Sequence, residues 1–101
     1  MARRFRFASI EWDEGNIFKN EIAHGVKFYE IEEAIENEPK CVIPHKIYRD
    51  RFVLLGRTDA GRYLFVIFQE KRDGVIRPIH AKDMEQEHRE FYQRNRRIHG
   101  S

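Results

Sequence analysis

The stretch Arg62-Tyr63-Leu64-Phe65-Val66-Ile67-Phe68-Gln69-Glu70 is the most strongly apolar part of the chain, and it decides the predicted fold. From Tyr63 to Phe68 every residue is apolar or aromatic, so neither face of a strand built from them is polar. A strand that is apolar on both faces is typical of the middle of a sheet, where it is covered on both sides. We therefore place 62–70 at the centre of a β-sheet.

The segments on either side of this strand extend it into an antiparallel meander. Arg51–Thr58 is a second apolar strand, and the tight turn Asp59-Ala60-Gly61 joins it to the central one. The turn Lys71-Arg72-Asp73-Gly74, in which glycine supplies positive φ, leads into the strand Val75–His80. Strands joined by turns this short pair with antiparallel direction.

Two weaker strands complete the predicted sheet. Cys41–Tyr48 alternates like a strand, but Pro44 cannot donate to a hydrogen-bond ladder, so we expect this strand at an edge. Arg4–Ile10 alternates basic residues with Phe5 and Phe7 and predicts the first strand of the chain.

Helical periodicity appears in the N-terminal half. A helix over 14–23 is indicated by Asp13 as N-cap and by Gly25, which favours the left-handed conformation that ends helices. A second helix over 27–37 has an apolar inner face and is stopped by Pro39. The short connection between them predicts a helical hairpin.

A last helix is predicted from Lys82 or Asp83 to Arg97, and its apolar stripe is thin. The stripe consists of Met84, Phe91 and Ile98, with polar residues at the positions between them. A helix with so little apolar surface packs lightly on a sheet, so we expect a partner protein to dock on it or displace it.

The order of elements, β-αα-ββββ-α, predicts an α+β fold. We expect a two-layer arrangement in which two N-terminal helices and a C-terminal helix surround a curled antiparallel sheet. The length of 101 residues predicts one domain over 1–101.

Composition narrows the class of protein. The single cysteine, Cys41, excludes an internal disulfide and a four-cysteine zinc site, and it fits a reducing cytoplasm. No apolar run approaches the roughly 20 residues that span a membrane, so we predict a cytoplasmic protein without a membrane partner.

The nineteen Lys and Arg residues cluster separately from acidic residues such as those of 30–38, which suits a basic face for phosphate. An ordinary mixed-charge surface fits equally well.

Several short motifs follow one another between about Ile10 and Tyr92. The motifs are Glu11-Trp12-Asp13, His24-Gly25-Val26 with Asn20 ahead of it, Phe28 with Glu32-Glu33-Ala34, Arg51-Phe52 with Leu55-Gly56, Gly61-Arg62-Tyr63-Leu64, and Ile76-Arg77-Pro78-Ile79-His80-Ala81-Lys82 with Arg89 and Tyr92 downstream. In their order and spacing they resemble the BrnT-type toxins of type II toxin–antitoxin systems.

The resemblance implies a fold similar to RelE-like ribonucleases and cleavage of RNA without a metal or other cofactor. It also implies neutralisation by a ribbon-helix-helix antitoxin, with DNA bound only indirectly through the toxin–antitoxin complex. This sequence departs from the usual family residues at several positions. They are Asn16, Ala23, His80, Lys82 and His88.

The stretch Ile76–Tyr92 holds most of the candidate site residues. RNA cleavage through the 2′-hydroxyl needs a base, an acid and a cation on the phosphate. We assign catalytic roles to His80 as base or acid, to Arg77 on the phosphate, to Lys82 as a charge or proton carrier, and to Tyr92. We assign RNA binding to four further residues, namely Arg62, His24, His88 and Arg89.

Structural roles compete with each of these assignments. His24 is more readily explained as a residue that caps the end of a helix, and His80 fits equally well as a histidine at a strand end. Arg89 can pair with Glu85, and Tyr92 can simply pack. The histidines lack metal-ligand spacing, so no metal site is predicted. A non-catalytic module that binds an antitoxin or another protein is the alternative function.

Overall fold

The computed structural model describes residues 9–15, 24–72 and 74–96, which form five strands and two helices in one sheet-centred unit. In chain order the elements are β1 (Ser9–Ile10), α1 (Phe28–Glu36), β2 (Cys41–Pro44), β3 (Arg51–Arg57), β4 (Tyr63–Arg72), β5 (Val75–Asp83) and α2 (Gln86–Asn95). The strands lie side by side in the order β1-β5-β4-β3-β2. Strand β4 is therefore central, as its apolar sequence predicts.

The sheet is mixed, so the prediction of a purely antiparallel sheet is wrong. Strands β2 to β5 form the expected antiparallel meander, with Leu54 opposite Val66 as one of its registered pairs. Strand β1 instead runs parallel to β5, with Ser9 opposite Val75. A tight turn forces antiparallel direction on the strands that it joins, whereas β1 reaches the sheet through a long connection that imposes no such direction.

Both faces of the sheet are covered, which contradicts the predicted two-layer arrangement. Alternate residues of β4 belong to two separate cores. The larger core contains Leu64, Val66 and Phe68 packed with residues of α1. The smaller core lies on the opposite face, where Phe65 packs with Tyr92 of α2. The order of layers is therefore helix, sheet, helix.

Helix α1 is held close to the sheet by a glycine. A Cβ atom placed on Gly56 would lie 2.6 Å from the carbonyl oxygen of Ala34, which no real side chain tolerates. The helix begins where the Glu30 carboxylate accepts a hydrogen bond from the Lys27 backbone N–H at 3.0 Å. Gly25, just before it, has a φ of 66°, the left-handed conformation expected from the sequence.

Two predicted segments at the N-terminal end fall outside the described residues. The first predicted helix, over 14–23, lies mainly on 16–23, and the first predicted strand, Arg4–Ile10, lies mainly on 4–8. Among the described residues the structure thus has two helices where the sequence predicted three.

The junction between β5 and α2 differs from the prediction. The strand does not end at His80, because Ala81 pairs with Val66 and Lys82 pairs with Phe65. The helix begins at Gln86 rather than at Lys82 or Asp83. Lys82 is therefore a strand residue whose side chain faces α2 and not a residue of the first helical turn.

The buried face of α2 is rotated relative to the predicted stripe. Tyr92 is 1% exposed and packs with Met84, whereas Phe91 is only partly buried. The predicted third stripe residue, Ile98, lies outside the described residues. Neither described helix is long and apolar enough to cross a membrane.

Candidate active site

Two histidines that are distant in the sequence meet beside β5. The ring centroids of His24 and His80 are 4.7 Å apart, with an angle of 82° between the ring planes. His24 lies directly before Gly25 at the approach to α1, and His80 lies on β5. The contact therefore depends on how the start of α1 is held against the sheet.

Arg62 holds the start of α1 in place. Its Nη1 donates to the Gly25 carbonyl oxygen at 3.0 Å and to Glu30 Oε1 at 3.1 Å. Its Nε donates to Asp83 Oδ1 at 2.6 Å. The hydrogen bond to Asp83 is the main reason that the pKa of Arg62 is raised above its ordinary value. Arg62 thus links Gly25, which follows His24, to α1 and to the end of β5.

Phe65 forms the floor of the site on the α2 face of the sheet. The ring of His88 stacks on it, with centroids 4.6 Å apart and planes at 25°. Lys82 Nζ lies 5.3 Å from the centroid of the Phe65 ring, and the centroid of the His80 ring lies 6.5 Å from it. Because Lys82 is the register partner of Phe65, the strand pairing itself places this cation over the ring.

Glu85 holds the side chains of His88 and Lys82 in place. Its backbone N–H donates to His88 Nδ1 at 3.1 Å, which in a neutral imidazole leaves the proton on Nε2. Its carboxylate accepts a hydrogen bond from Lys82 Nζ at 2.9 Å. That contact with the Lys82 ammonium lowers the pKa of the Glu85 carboxyl below its ordinary value. The cluster therefore holds a cation and an oriented imidazole next to the His24–His80 pair.

Arg77 points its charge at the N-terminal segment. Its Nη1 donates to Asp13 Oδ2 at 2.6 Å and lies 3.5 Å from Glu11 Oε1. The hydrogen bond that Arg77 donates to Asp13 is the largest influence raising the pKa of Arg77. Arg77 thus links β5 to the segment after β1, where Asp13 and Glu11 balance its positive charge.

Tyr92 and Arg89 also lie apart from the histidine pair. The Tyr92 hydroxyl donates to the Pro39 carbonyl oxygen at 2.7 Å, and burial raises the pKa of this phenol. The Arg89 guanidinium lies over the Tyr63 ring, 4.3 Å from its centroid, rather than against Glu85. Tyr92 therefore occupies the smaller core, and Arg89 belongs to a second aromatic contact on the same face.

Of the eight residues predicted for the site, the structure gathers three around Phe65, namely His80, Lys82 and His88, and a fourth, His24, contacts His80. Asn16 and Ala23 lie outside the described residues. Sequence reasoning missed Phe65, although the alternation of β4 already placed it opposite the face that α1 covers. The described residues contain no group of three His, Cys, Asp or Glu side chains that could hold a metal ion.

Comparison with known proteins identifies the family of this chain. The family model described as "Ribonuclease toxin, BrnT, of type II toxin-antitoxin system" matches residues 12–88. The chain belongs to the BrnT family. The match includes the pair His24 and His80 together with Phe65, Lys82 and His88.

A solved structure agrees with this assignment. The ribonuclease toxin BrnT of Brucella abortus, determined at 1.1 Å resolution, superposes with a TM-score of 0.61 and 25% sequence identity. The alignment covers 76% of this chain and 96% of the Brucella protein. A search of curated proteins found no match. A ribonuclease toxin of a type II system acts on RNA and has an antitoxin partner, and both expectations follow from membership of this family.

Proposed function

We propose that this BrnT-family protein is a ribonuclease toxin in which His24 and His80 transfer the protons of a metal-independent cleavage. The observation that carries the proposal is the contact between the two imidazole rings, 4.7 Å apart, with the His80 ring and the Lys82 ammonium both next to Phe65. Two proton carriers next to a cation supply the three groups that cleavage through the 2′-hydroxyl requires.

The proposed reaction needs no group from outside the chain and the RNA. One imidazole takes the proton of the 2′-hydroxyl while the 2′-oxygen forms a bond to phosphorus. The bond from phosphorus to the 5′-oxygen breaks, and the other imidazole donates its proton to that oxygen. The products are a 2′,3′-cyclic phosphate and a free 5′-hydroxyl. Lys82 stabilises the negative charge that develops on the phosphoryl oxygens.

The remaining predicted site residues have supporting roles in this proposal. His88 lines the site over Phe65 and contacts the RNA. Arg62 positions His24 through the Gly25 carbonyl, and Arg77 holds the segment that follows β1 through Asp13. Both arginines are therefore positioning residues here, because each one links its own part of the chain to another segment. Tyr92 is assigned to packing because its hydroxyl is bonded inside the smaller core.

Expression in a bacterium tests the proposal. The wild-type chain is expected to slow growth and to cut RNA, and His24→Ala and His80→Ala are each expected to lose at least about a hundredfold in cleavage rate, the usual contribution of a positioned acid or base. His45→Ala is the matched control, since His45 lies at the turn after β2, where its Nδ1 accepts the Ile47 backbone N–H. Full toxicity of both histidine variants would remove the pair from the mechanism.

We further propose that the antitoxin is a small ribbon-helix-helix protein that docks on α2. Support comes from the helix itself, since Tyr92 is its one fully buried residue among the described positions. An antitoxin on this helix would cover His88 and Arg89 and so block the RNA. In this proposal the complex stays in the cytoplasm, where its substrate is, and DNA is contacted only through the antitoxin.

A non-catalytic interaction module is the second candidate function, and one observation favours it. Three cations expected to hold phosphate, namely Arg62, Arg77 and Lys82, are bound to carboxylates in the structure. A site whose charges are neutralised in this way attracts an anion less strongly. Purified wild-type protein that binds an antitoxin but cuts no RNA would establish this alternative.

A further inference from the structure

Two arginines share one aromatic ring at the edge of the α2 face. The Arg57 guanidinium lies over the Tyr63 ring at 4.7 Å from its centroid, and that of Arg89 lies over the same ring at 4.3 Å. Arg57 comes from the end of β3 and Arg89 from α2, so the contact joins the sheet to the helix. The Tyr63 ring also meets Tyr92 edge-on, with centroids 5.9 Å apart. The ring therefore positions both guanidiniums.

The charges of this pair are not balanced within the described part of the chain. Neither Arg57 nor Arg89 has a carboxylate within salt-bridge distance among residues 9–15, 24–72 and 74–96, in contrast to Arg62 and Arg77. Both side chains are exposed at the surface. A guanidinium packed on a ring keeps its N–H edges free to bind an anion, because the ring occupies only its flat face.

A third arginine and a cavity lie beside the pair. Arg57 and Arg96 are near enough to the Tyr92 hydroxyl to oppose the rise in its pKa that burial causes. Arg57 also lines a cavity of about 260 Å³ between the end of α1 and the β3–β4 turn. That volume is slightly below the about 300 Å³ at which small-molecule pockets begin. The cavity can therefore take part of a ligand whose remainder stays in solvent.

The acidic residues at this cavity are engaged with other groups. Glu38 lies 3.1 Å from Lys40 Nζ, and Asp59 Oδ1 accepts a hydrogen bond from the Asn37 side-chain amide at 2.9 Å. The Lys40 ammonium offsets the charge of Glu38, whereas the neutral amide of Asn37 leaves Asp59 negative. The groups available to an anion on this edge are therefore Arg57 and Arg89, which have no carboxylate within salt-bridge distance among the described residues.

We propose that Arg57 and Arg89, held on Tyr63, form a second phosphate-binding site that grips the RNA strand next to the cleaved phosphodiester. The inference rests on the proposed ribonuclease function. Tyr63 and Phe65 are on the same face of β4, about 7 Å apart along the strand. An RNA strand that places one phosphate at His24 and His80 would run across Phe65 toward Tyr63.

The geometry favours RNA over an acidic peptide as the ligand. Two forked guanidiniums fixed by one ring suit the paired oxygens of a phosphodiester. Because Arg57 and Arg89 lie on the same sheet face as the histidine pair, a polymer with regularly spaced phosphates can reach both sites at once. An acidic peptide bound here would engage the arginines without needing the histidine site.

Binding of a short, fluorescently labelled 2′-O-methyl RNA to the purified full chain tests this inference, since such an RNA lacks the nucleophile and is not cut. Arg57→Ala and Arg89→Ala are each expected to weaken binding about tenfold. Each should also reduce the slope of log binding constant against log salt concentration by about 0.7, the value for one phosphate contact on a single strand. Arg94→Ala is the matched control, because it removes one exposed positive charge from the same helix. It is expected to bind nearly as well as wild type.

Charge-preserving variants guard against a folding defect. Arg57→Lys and Arg89→Lys keep the charge but lose the fork, so we expect an unchanged salt slope with several-fold weaker binding. Equal affinities for Arg89→Ala and Arg94→Ala would overturn the inference. So would an acidic peptide that competes at these arginines while RNA affinity is unaffected by them.

Different results would contradict the second phosphate-binding site and the ribonuclease function. If the arginine variants bind RNA like wild type while His80→Ala still abolishes cleavage, the second phosphate site is wrong and the ribonuclease function stands. If wild-type protein neither binds nor cuts RNA, both proposals are wrong.

Discussion

The His24 imidazole meets the His80 imidazole edge-to-face, with centroids 4.7 Å apart and ring planes at 82°. Arg62 bonds both to the Gly25 carbonyl, next to His24, and to Asp83 at the end of β5. It thereby links the chain beside His24 to the strand that holds His80. Four predictions follow from this arrangement and from the packing around it.

Cleavage should depend on pH through both histidines. If one imidazole acts as base and the other as acid, kcat/KM has a bell-shaped pH profile, because only the singly protonated pair is active. His24→Ala or His80→Ala is expected to remove one limb of the bell as well as lowering the rate. Initial rates on a defined RNA across the pH range would measure this. A profile that keeps both limbs in each variant would contradict the pairing.

The Arg62–Asp83 contact should stabilise the fold in a pH-dependent way. The hydrogen bond from Arg62 lowers the pKa of the Asp83 carboxyl below its ordinary value. A lowered folded-state pKa means that the stabilisation is complete above the unfolded pKa of about 3.9. It is lost as the pH falls through the lower, folded value, because the protonated carboxyl no longer attracts the guanidinium.

Asp83→Asn tests that dependence by thermal unfolding. The variant is expected to melt below wild type at neutral pH, and the difference is expected to shrink toward zero in strong acid. Glu36→Gln, a change at an exposed position of α1, should leave the melting temperature unchanged. A gap between Asp83→Asn and wild type that stays constant down to acid pH would argue against the ion pair as its source.

Tyr92→Phe should reduce stability and leave cleavage intact. The substitution removes the hydrogen bond to the Pro39 carbonyl and leaves that acceptor unpaired, at a cost of about 1 kcal/mol in the free energy of unfolding. Denaturant unfolding would measure the loss. Tyr29→Phe, at a 49% exposed position, serves as control and is expected to be neutral. Loss of cleavage by a folded Tyr92→Phe protein would restore a catalytic role for this phenol.

Gly56→Ala should destabilise the packing of α1 on the sheet. The added methyl would lie 2.6 Å from the Ala34 carbonyl oxygen, so the helix must move away, at a cost of about 1–3 kcal/mol. At Gly15, by comparison, the nearest atom among the described residues is a side-chain atom, Asp13 Oδ1, at 3.2 Å. Gly15→Ala is therefore expected to change the free energy of unfolding much less. Equal effects of the two substitutions would show that α1 adjusts freely.

Much of the fold follows from local sequence pattern. The run from Tyr63 to Phe68 places β4 at the centre of the sheet, and Pro44 places β2 at its edge, because both are consequences of one strand's own chemistry. The direction of β1 does not follow in this way. It depends on pairing with β5, which lies near the other end of the chain, and no local pattern encodes that pairing.

The residue types of the candidate site were also readable from the sequence, but their contacts were not. Sequence reasoning placed His80, Lys82 and His88 in one stretch, Ile76–Tyr92, and named His24 on a separate segment. Only the tertiary structure stacks His88 on Phe65 and brings His24 to His80. The strand register that sets Lys82 opposite Phe65 is a property of two chain segments together.

The sequence by itself determined the chemical inventory and the family, whereas the tertiary structure decided which charges remain available. Arg62 and Arg77 looked like phosphate ligands, but folding places Asp83 and Asp13 against them. Arg89 was predicted to bind RNA and Arg57 was not, yet folding sets both on Tyr63 without a carboxylate partner among the described residues. Electrostatic pairing acts through space over a few ångströms, so it follows from packing and not from spacing along the chain.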